Sequence, residues 1–280
     1  MSETFIKAGV IGWPIKHSRS PLIHRYWIEQ LGLSGSYDAV AVDPARFADD
    51  LQGLIGEGYA GVNVTVPHKE AALDIAETVD DLAARIGAAN TLVFRDGKIE
   101  ARNTDAHGFL ANLMAGAPDL SLKGQKAVVL GAGGAARAVL CALVDAEVAE
   151  IVLVNRTRAR AEEVALSLNG DMTVTRWEHR EEALEEAALL VNTTTLGMTG
   201  APALDLSLDR LPERAVVNDI VYVPLETDLL SRARDRGNRV VDGLGMLLHQ
   251  AAPAFEAWFG VLPEVDKELR SRVVADLENT

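Results

Sequence analysis

An α/β protein of two domains, one of them a doubly wound parallel sheet, is what this sequence predicts, and three observations predict it. A glycine-rich turn, Gly131-Ala-Gly133-Gly134-Ala135-Ala136, stands between an apolar run and a helix-forming run. Apolar runs at 127–130, 151–154, about 173–175, 188–193, 215–220 and 239–241 alternate with helix-length segments, the pattern of a parallel sheet with crossover helices. A chain of 280 residues is also long enough to bury two cores.

The glycine turn carries the sharpest chemistry. Ala127 to Leu130 are apolar throughout, as a strand buried on both faces requires. Strand, glycine turn and helix in that order form the dinucleotide-binding fingerprint. Gly131 permits the tight turn, Gly133 lets backbone approach a pyrophosphate, and Ala136 lets helix and strand pack closely. The helix opening near Gly134 turns its unpaired N–H groups and positive dipole end toward the phosphates. Ordinary turns and helix caps also collect glycine, so the next strand matters. After Ile151–Val154, where a carboxylate would hold the ribose 2′-OH of NAD, the chain reads Asn155-Arg156-Thr157-Arg158-Ala159-Arg160. Three arginines without a carboxylate suit a 2′-phosphate, and the cofactor reads as NADP. The competing reading, arginines coating a surface helix, meets the objection that cations oppose the dipole at a helix N-terminus.

Bulk composition excludes several classes. The net charge is −14 with no long basic run, which argues against nucleic acid and anionic membrane as partners. An anionic ligand must be gathered by local cations and N–H donors. A single cysteine, Cys141, permits no disulfide within the chain and suits a reducing cytosol. No signal-like leader and no membrane-length apolar run stands out, and the six histidines show no metal-ligand spacing.

In the first hundred residues a strand over Lys7–Ile11 leads into Lys16-His-Ser18-Arg-Ser20-Pro21, where Ser20 at N-cap and Pro21 at the first position predict a helix start. Ser18 and Ser20 read either as turn and cap or as hydroxyls for a carboxylate ligand. A strand over Tyr37–Val42 and a helix from Pro44 to about Ile55 follow. Gly61 to Val66 alternates valines with Asn63 and Thr65, so one strand face is polar. Lys69 then starts a helix. There it is either a solvated surface lysine or, set against the helix dipole, one suited to proton transfer. A helix over Asp80–Ile86, a strand over Leu92–Phe94, a hairpin turn at Asp96-Gly97 and a return strand to Arg102 precede Asp105, which reads as the N-terminal carboxylate of a helix reaching Leu113. Near the end, Gln250 lies in a long apolar helix opening at Asp242-Gly243, its amide met either by backbone or by a ligand. An acidic, amphipathic helix is expected from about Pro263.

Taken together, Lys16-His-Ser18-Arg-Ser20-Pro21, Asn63-Val-Thr65-Val-Pro67-His-Lys69, Ala89-Asn90-Thr91, Asn103-Thr-Asp105, Gly131-Ala-Gly-Gly-Ala135, Asn155-Arg156-Thr157, Asp219-Ile-Val-Tyr222-Val-Pro224 and Asp242-Gly-Leu-Gly-Met-Leu resemble the shikimate dehydrogenase family, in the family's order and across nearly the whole chain. The resemblance implies NADPH-dependent reduction of 3-dehydroshikimate to shikimate in aromatic amino-acid biosynthesis. It implies Lys69 and Asp105 as the catalytic pair, Ser18, Ser20 and Tyr222 toward the substrate carboxylate, and Thr65, Asn90, Asp105 and Gln250 toward its ring hydroxyls. Gly131, Gly133, Gly134, Ala135, Asn155, Arg156, Thr157, Arg160 and Gly243 are its expected NADP-binding positions. The domains expected are 1–105 for substrate, 106–242 for a Rossmann-type NADP domain, and 243–280 as helices returning to the first, with a cleft between the two domains. The loop Asn192-Thr-Thr-Thr-Leu-Gly-Met departs from the alanine and serine the family often has there, and Arg158 is an additional arginine. Rival readings are a paralogue acting on quinate or an amino-shikimate analogue, and a non-catalytic sensor of NADP and metabolite. The sensor could lose Lys69 or Asp105, and this chain keeps both. The expected assembly is a monomer or homodimer without metal.

Overall fold

The computed structural model describes residues 5–168 and 171–279. They form two compact units, one from the segments up to Thr104 and from Leu248 onward, the other Asp105–Leu247. The sequence had suggested limits at 105/106 and 242/243. The second limit instead falls inside a helix, after Leu247.

In the first unit the chain runs β1 (Ile6–Gly12), α1 (Ser20–Gln30), β2 (Gly35–Ala41), α2 (Phe47–Gly56), β3 (Tyr59–Val64), α3 (Lys69–Asp74), β4 (Thr78–Val79), α4 (Asp81–Ile86), β5 (Thr91–Arg95) and β6 (Lys98–Arg102). The sheet order is β2-β1-β3-β5-β6-β4. β1, β2 and β3 are parallel, whereas β5 runs antiparallel to both β3 and β6. Asp96 and Gly97 both have positive φ, 52° and 73°, as a two-residue hairpin turn requires. This topology brings the ends of β1, β3 and β6 and the start of β5 to one edge of the sheet.

The second unit runs α5 (Asp105–Gly116), β7 (Lys126–Leu130), α6 (Gly134–Asp145), β8 (Glu150–Asn155), α7 (Arg158–Ser167), β9 (Met172–Arg176), β10 (Leu189–Asn192), β11 (Val216–Asp219), α8 (Asp228–Asp235) and β12 (Arg239–Val241). Every strand pair is parallel and the order is β12-β11-β10-β7-β8-β9, the doubly wound arrangement with its switch point between β7 and β10. Val128, Leu130, Val152, Val154, Leu190 and Val217 fill the core on one face of this sheet. Cys141 lies buried on α6, as a small core residue. Last come α9 (Leu244–Phe259) and α10 (Lys267–Glu278). Among the described residues no helix is long and apolar enough to cross a membrane.

Several sequence expectations need correcting at the element ends. Arg19, not Ser20, is the N-cap of α1; the Ser18 hydroxyl oxygen accepts the Ser20 N–H (3.3 Å) and so does the capping work one residue early. Pro44 opens a 3₁₀ turn whose cap is the Asp43 carboxylate, and α2 begins only at Phe47. β3 stops at Val64, because Thr65 to His68 close a turn (His68 N–H to Thr65 O, 3.0 Å). α10 starts at Lys267, where Asp266 Oδ1 accepts the Leu269 N–H (2.7 Å). It is not acidic: Lys267, Arg270 and Arg272 balance Glu268, Asp276 and Glu278.

His24 marks the centre of the first unit. It is fully buried on α1, stacked on Tyr37 of β2 at 3.9 Å and 1°, with Trp27, Phe255 and Trp258 around it. α1, β2 and α9 are thereby packed around one ring, and burying each such aromatic contributes about 1.5–3 kcal/mol. Neither ring nitrogen of His24 has a hydrogen-bond partner of good geometry among the described residues. Burial lowers its pKa from 6.5 to about 3, opposed only by the nearby Asn63 side chain. The ring is therefore neutral in the folded protein, while the unfolded chain takes up a proton below about pH 6.5. Stability is highest above that pH and falls, by about 1.4 kcal/mol per pH unit, as pH drops toward 3. We expect His24→Phe, which keeps the stack, to remove about 2 kcal/mol of the stability difference between pH 7 and pH 5 in urea unfolding. An unchanged difference would show that other groups set the acid limb.

Candidate active site

At the shared edge of the first sheet, backbone bonds tie four loops together. Thr65 N–H donates to Ile11 O (3.0 Å), Trp13 N–H to Val66 O (3.1 Å), Val64 N–H to Asn90 O (2.8 Å) and Asn90 N–H to Arg102 O (3.1 Å). Lys69, half-buried at the first position of α3, is fixed from both sides. Its carbonyl accepts the Ala89 N–H (2.9 Å). The preceding His68 is buried against Phe47 and meets Val42 O through Nε2 at 2.8 Å; a carbonyl only accepts, so Nε2 carries the proton. Ser18, Thr65 and Asn90 thus stand on loops joined at one edge, with Ser20 and Lys69 at the helix starts that follow two of them.

Behind them runs a buried polar network. The Tyr37 hydroxyl donates to Asn63 Oδ1 (2.6 Å), and burial, which raises its pKa well above the usual range, keeps it protonated. Asn63 Nδ2 donates to Asn90 O and to Thr91 Oγ1, both at 3.2 Å. Asn90 Oδ1 accepts the Thr104 N–H (2.8 Å) and the Thr91 hydroxyl (3.0 Å). A backbone N–H can only donate, so the Asn90 amide has one orientation. Its Nδ2 donates to Thr104 Oγ1 (2.9 Å) and to Gln250 Oε1 (3.2 Å). The Gln250 side chain is thereby turned with oxygen toward Asn90, which makes its NH₂ the other end. Gln250 is half-buried, and its Oε1 meets the side chains of Asn90 and Thr104. Asp105 follows Thr104 in the chain as the first, half-buried residue of α5.

The second unit offers a different chemistry. Gly131 has φ +104°, in the left-handed region, and a Cβ there would lie 2.7 Å from Thr193 Oγ1, so only glycine fits. Around Gly133 and Gly134 an added Cβ would meet no protein atom within 4 Å. Gly133 caps α6 without a side-chain acceptor. The N–H groups of Gly134, Ala135 and Ala136 thus begin a helix whose first turn takes no side-chain cap, beside open space. Beyond β8, Asn155 Nδ2 donates to Thr157 O (2.8 Å) and bends the turn that presents Arg156. Arg156 and Arg160 are exposed, and neither forms a hydrogen bond or ion pair among the described residues. Arg158 differs in having a partner on its own helix: its guanidinium meets Glu162 at 2.6 Å. Open backbone, a helix start and two exposed guanidinium groups fit the phosphates of NADP. Gly243 is buried, and a Cβ on it would fall 2.1 Å from Ile220 O, so its lack of a side chain serves close packing against the 220–221 backbone. Tyr222 lies half-buried on the loop after β11. Among the described residues no group of His, Cys, Asp or Glu is arranged to hold a metal ion.

Sequence reasoning gave no individual role to Tyr37, Asn63 and Thr104, and placed Asn192 and Asp219 only on loops past strand ends that it expected to line a cleft. The available signal was a polar residue closing an apolar strand, as at Asn192 and Asp219, or lying on the polar face of one, as at Asn63.

Three family models match this chain: the shikimate dehydrogenase substrate binding domain over residues 10–92, shikimate / quinate 5-dehydrogenase over 113–199, and the shikimate 5′-dehydrogenase C-terminal domain over 243–267. The chain is 58% identical over 269 residues to a shikimate dehydrogenase (NADP(+)) of Paramagnetospirillum magneticum, covering 96% of this chain and 98% of that protein. Among solved structures it resembles shikimate 5-dehydrogenase of Thermus thermophilus in complex with NADP(H) and shikimate, at 39% identity and TM-score 0.85, covering 97% of this chain and 99% of that one. It also resembles quinate dehydrogenase of Corynebacterium glutamicum in complex with NAD, at 30% identity and TM-score 0.90, covering 97% and 100%. Coverage and identity together settle the relationship: the chain belongs to the shikimate dehydrogenase family.

Proposed function

We propose that this chain reduces 3-dehydroshikimate to shikimate with NADPH, reversibly, as a cytosolic enzyme of aromatic amino-acid biosynthesis. The observation that carries the reading is the buried amide network from Asn63 through Asn90 to Gln250. Burying amides is favourable only when their hydrogen bonds are made. The polarity of this network is fixed from a backbone donor outward, as directional recognition of several hydroxyls requires. Relatives named as NADP-dependent shikimate dehydrogenases support it.

In this reading Ser18 and Ser20 take the substrate carboxylate. Thr65, Asn90 and Gln250 take ring hydroxyls. The helix start at Gly134–Ala135, with Arg156 and Arg160, holds the phosphates of NADP. The chemistry that bound NADPH supplies is a hydride to the carbonyl carbon. Lys69 stabilises the negative charge developing on the carbonyl oxygen and gives it a proton, leaving C–OH; in oxidation the same nitrogen takes the proton back. Asp105 is the carboxylate we assign to the same step.

Quinate is the alternative substrate, favoured by the quinate dehydrogenase among the similar structures. Initial rates of shikimate and quinate oxidation, each with NADP and NAD, separate the two. A preference for shikimate with NADP is expected; turnover chiefly on quinate or with NAD would move the chain to a paralogous branch, and no turnover would return the sensor reading.

Lys69→Ala is expected to lower kcat by about 10²–10⁴ with a smaller change in KM, measured in the same assay. A rise in KM alone would reduce Lys69 to a binding residue. Arg156→Ala is expected to weaken NADP binding about tenfold and leave NAD unchanged, measured by calorimetry. Equal weakening of both would withdraw the 2′-phosphate role.

A further inference from the structure

Asp219 closes β11 and is fully buried. Only neutral donors meet its carboxylate: the Thr227 hydroxyl at Oδ2 (2.7 Å), and Asn192 Nδ2 (3.0 Å) and the Val221 N–H (3.1 Å) at Oδ1. Among the described residues it has no lysine or arginine partner. Burial pushes its pKa up, and the three donors pull it back. A buried carboxylate without a cation is costly, and an apolar residue of similar volume would pack without that cost. A carboxylate can, however, accept from several directions at once.

Those donors belong to two loops. Asn192 closes β10 and shapes the loop after it: its Oδ1 accepts the Thr194 N–H (3.1 Å) and hydroxyl (2.7 Å), and its Nδ2 also donates to Leu196 O (3.2 Å). Val221 and Thr227 bracket the loop after β11, and Thr227 goes on to cap α8 through the Leu230 N–H (3.4 Å). A bond from Thr199 N–H to Val223 O (2.8 Å) joins the loops farther out. Both leave the carboxyl ends of strands, where doubly wound sheets bind ligands. They lie in the half of the sheet across the switch point from β8 and Arg156. Each half of such a sheet takes one mononucleotide, so if Arg156 marks the adenosine half, these loops mark the nicotinamide half.

We propose that Asp219 is a positioning residue for the nicotinamide end of NADP: its carboxylate clamps the loops after β10 and β11 together and sets where they stand against that mononucleotide. This rests on the cofactor reading above.

The test compares NADP with 2′,5′-ADP, a fragment that lacks the nicotinamide half, by titration calorimetry on Asp219→Asn. The dissociation constant of NADP should rise about tenfold, while that of 2′,5′-ADP stays within about twofold. Retained fragment binding also reports an intact fold. Equal weakening of both ligands, or no change in either, overturns the proposal. Failure of the cofactor reading shows separately, as an unmodified protein that does not bind 2′,5′-ADP or an Arg156→Ala variant that binds it unchanged. Should Asp219→Asn not fold, Thr227→Val removes one of the three donors and is read by the same pair of ligands against the same two outcomes.

Discussion

The 2.8 Å bond from the Thr104 N–H to Asn90 Oδ1 governs the polar architecture of the first unit. An amide side chain can be turned either way at little cost in shape, and only its partners distinguish the two orientations. Here a backbone donor makes the choice, and the choice propagates. Asn90 becomes a donor to Gln250, and Gln250 must offer its nitrogen in the other direction. On the inner side the Asn90 carbonyl, which only accepts, makes the equivalent choice for Asn63, and the Tyr37 hydroxyl then donates to Asn63 Oδ1. Every amide in the row is therefore polarised before any ligand arrives, which is what preorganisation means for a site that recognises hydroxyl groups. The sheet topology makes this possible, because β5 runs antiparallel between β3 and β6 and brings Asn63, Asn90 and Thr104 to the same edge.

The second unit solves the opposite problem. A chain of net charge −14 must attract a polyanion. The means the proposed cofactor site would use are local rather than global: a helix start without a side-chain cap, and the exposed guanidinium groups of Arg156 and Arg160, which have no internal partner among the described residues. Arg158, within the same basic stretch, is held by Glu162 and belongs to the helix surface. One run of sequence thus contains an arginine paired along its helix and two left unpaired among the described residues, separated by whether a carboxylate follows at i+4.

Much of this was legible in the sequence. The alternation of apolar runs gave the doubly wound sheet, and the glycine turn located its phosphate end, because both follow from local periodicity and backbone sterics. Lys69 stood out by its place at a helix start and Gln250 as an amide in an apolar helix, while Asn90 was marked by the resemblance alone. What could not be read was the relay behind them. Tyr37 looks like a core aromatic in a linear chain, and only the pairing of β2 with β1 and of β1 with β3 puts it beside Asn63. Asp219 is one carboxylate among many acidic residues until the fold withdraws it from water. The misplaced helix starts at Ser20 and Pro44 have separate causes: the Ser18 hydroxyl accepts the Ser20 N–H and the helix begins one residue before its proline, whereas Asp43 caps a 3₁₀ turn at Pro44 that delays the helix to Phe47.

The division of the chain has a consequence for biosynthesis. Asp105–Leu247 is one uninterrupted segment, whereas the first unit takes in residues from Leu248 onward. Phe255 and Trp258, which pack around His24, and Gln250, which completes the amide row, leave the ribosome only after the whole second unit has been made. The N-terminal sheet must then wait with one face of its core uncovered while the later segment folds, reversing the usual vectorial order of domain folding. During translation the aromatic face of α1 and β2 that Phe255 and Trp258 later cover stays exposed until α9 is made.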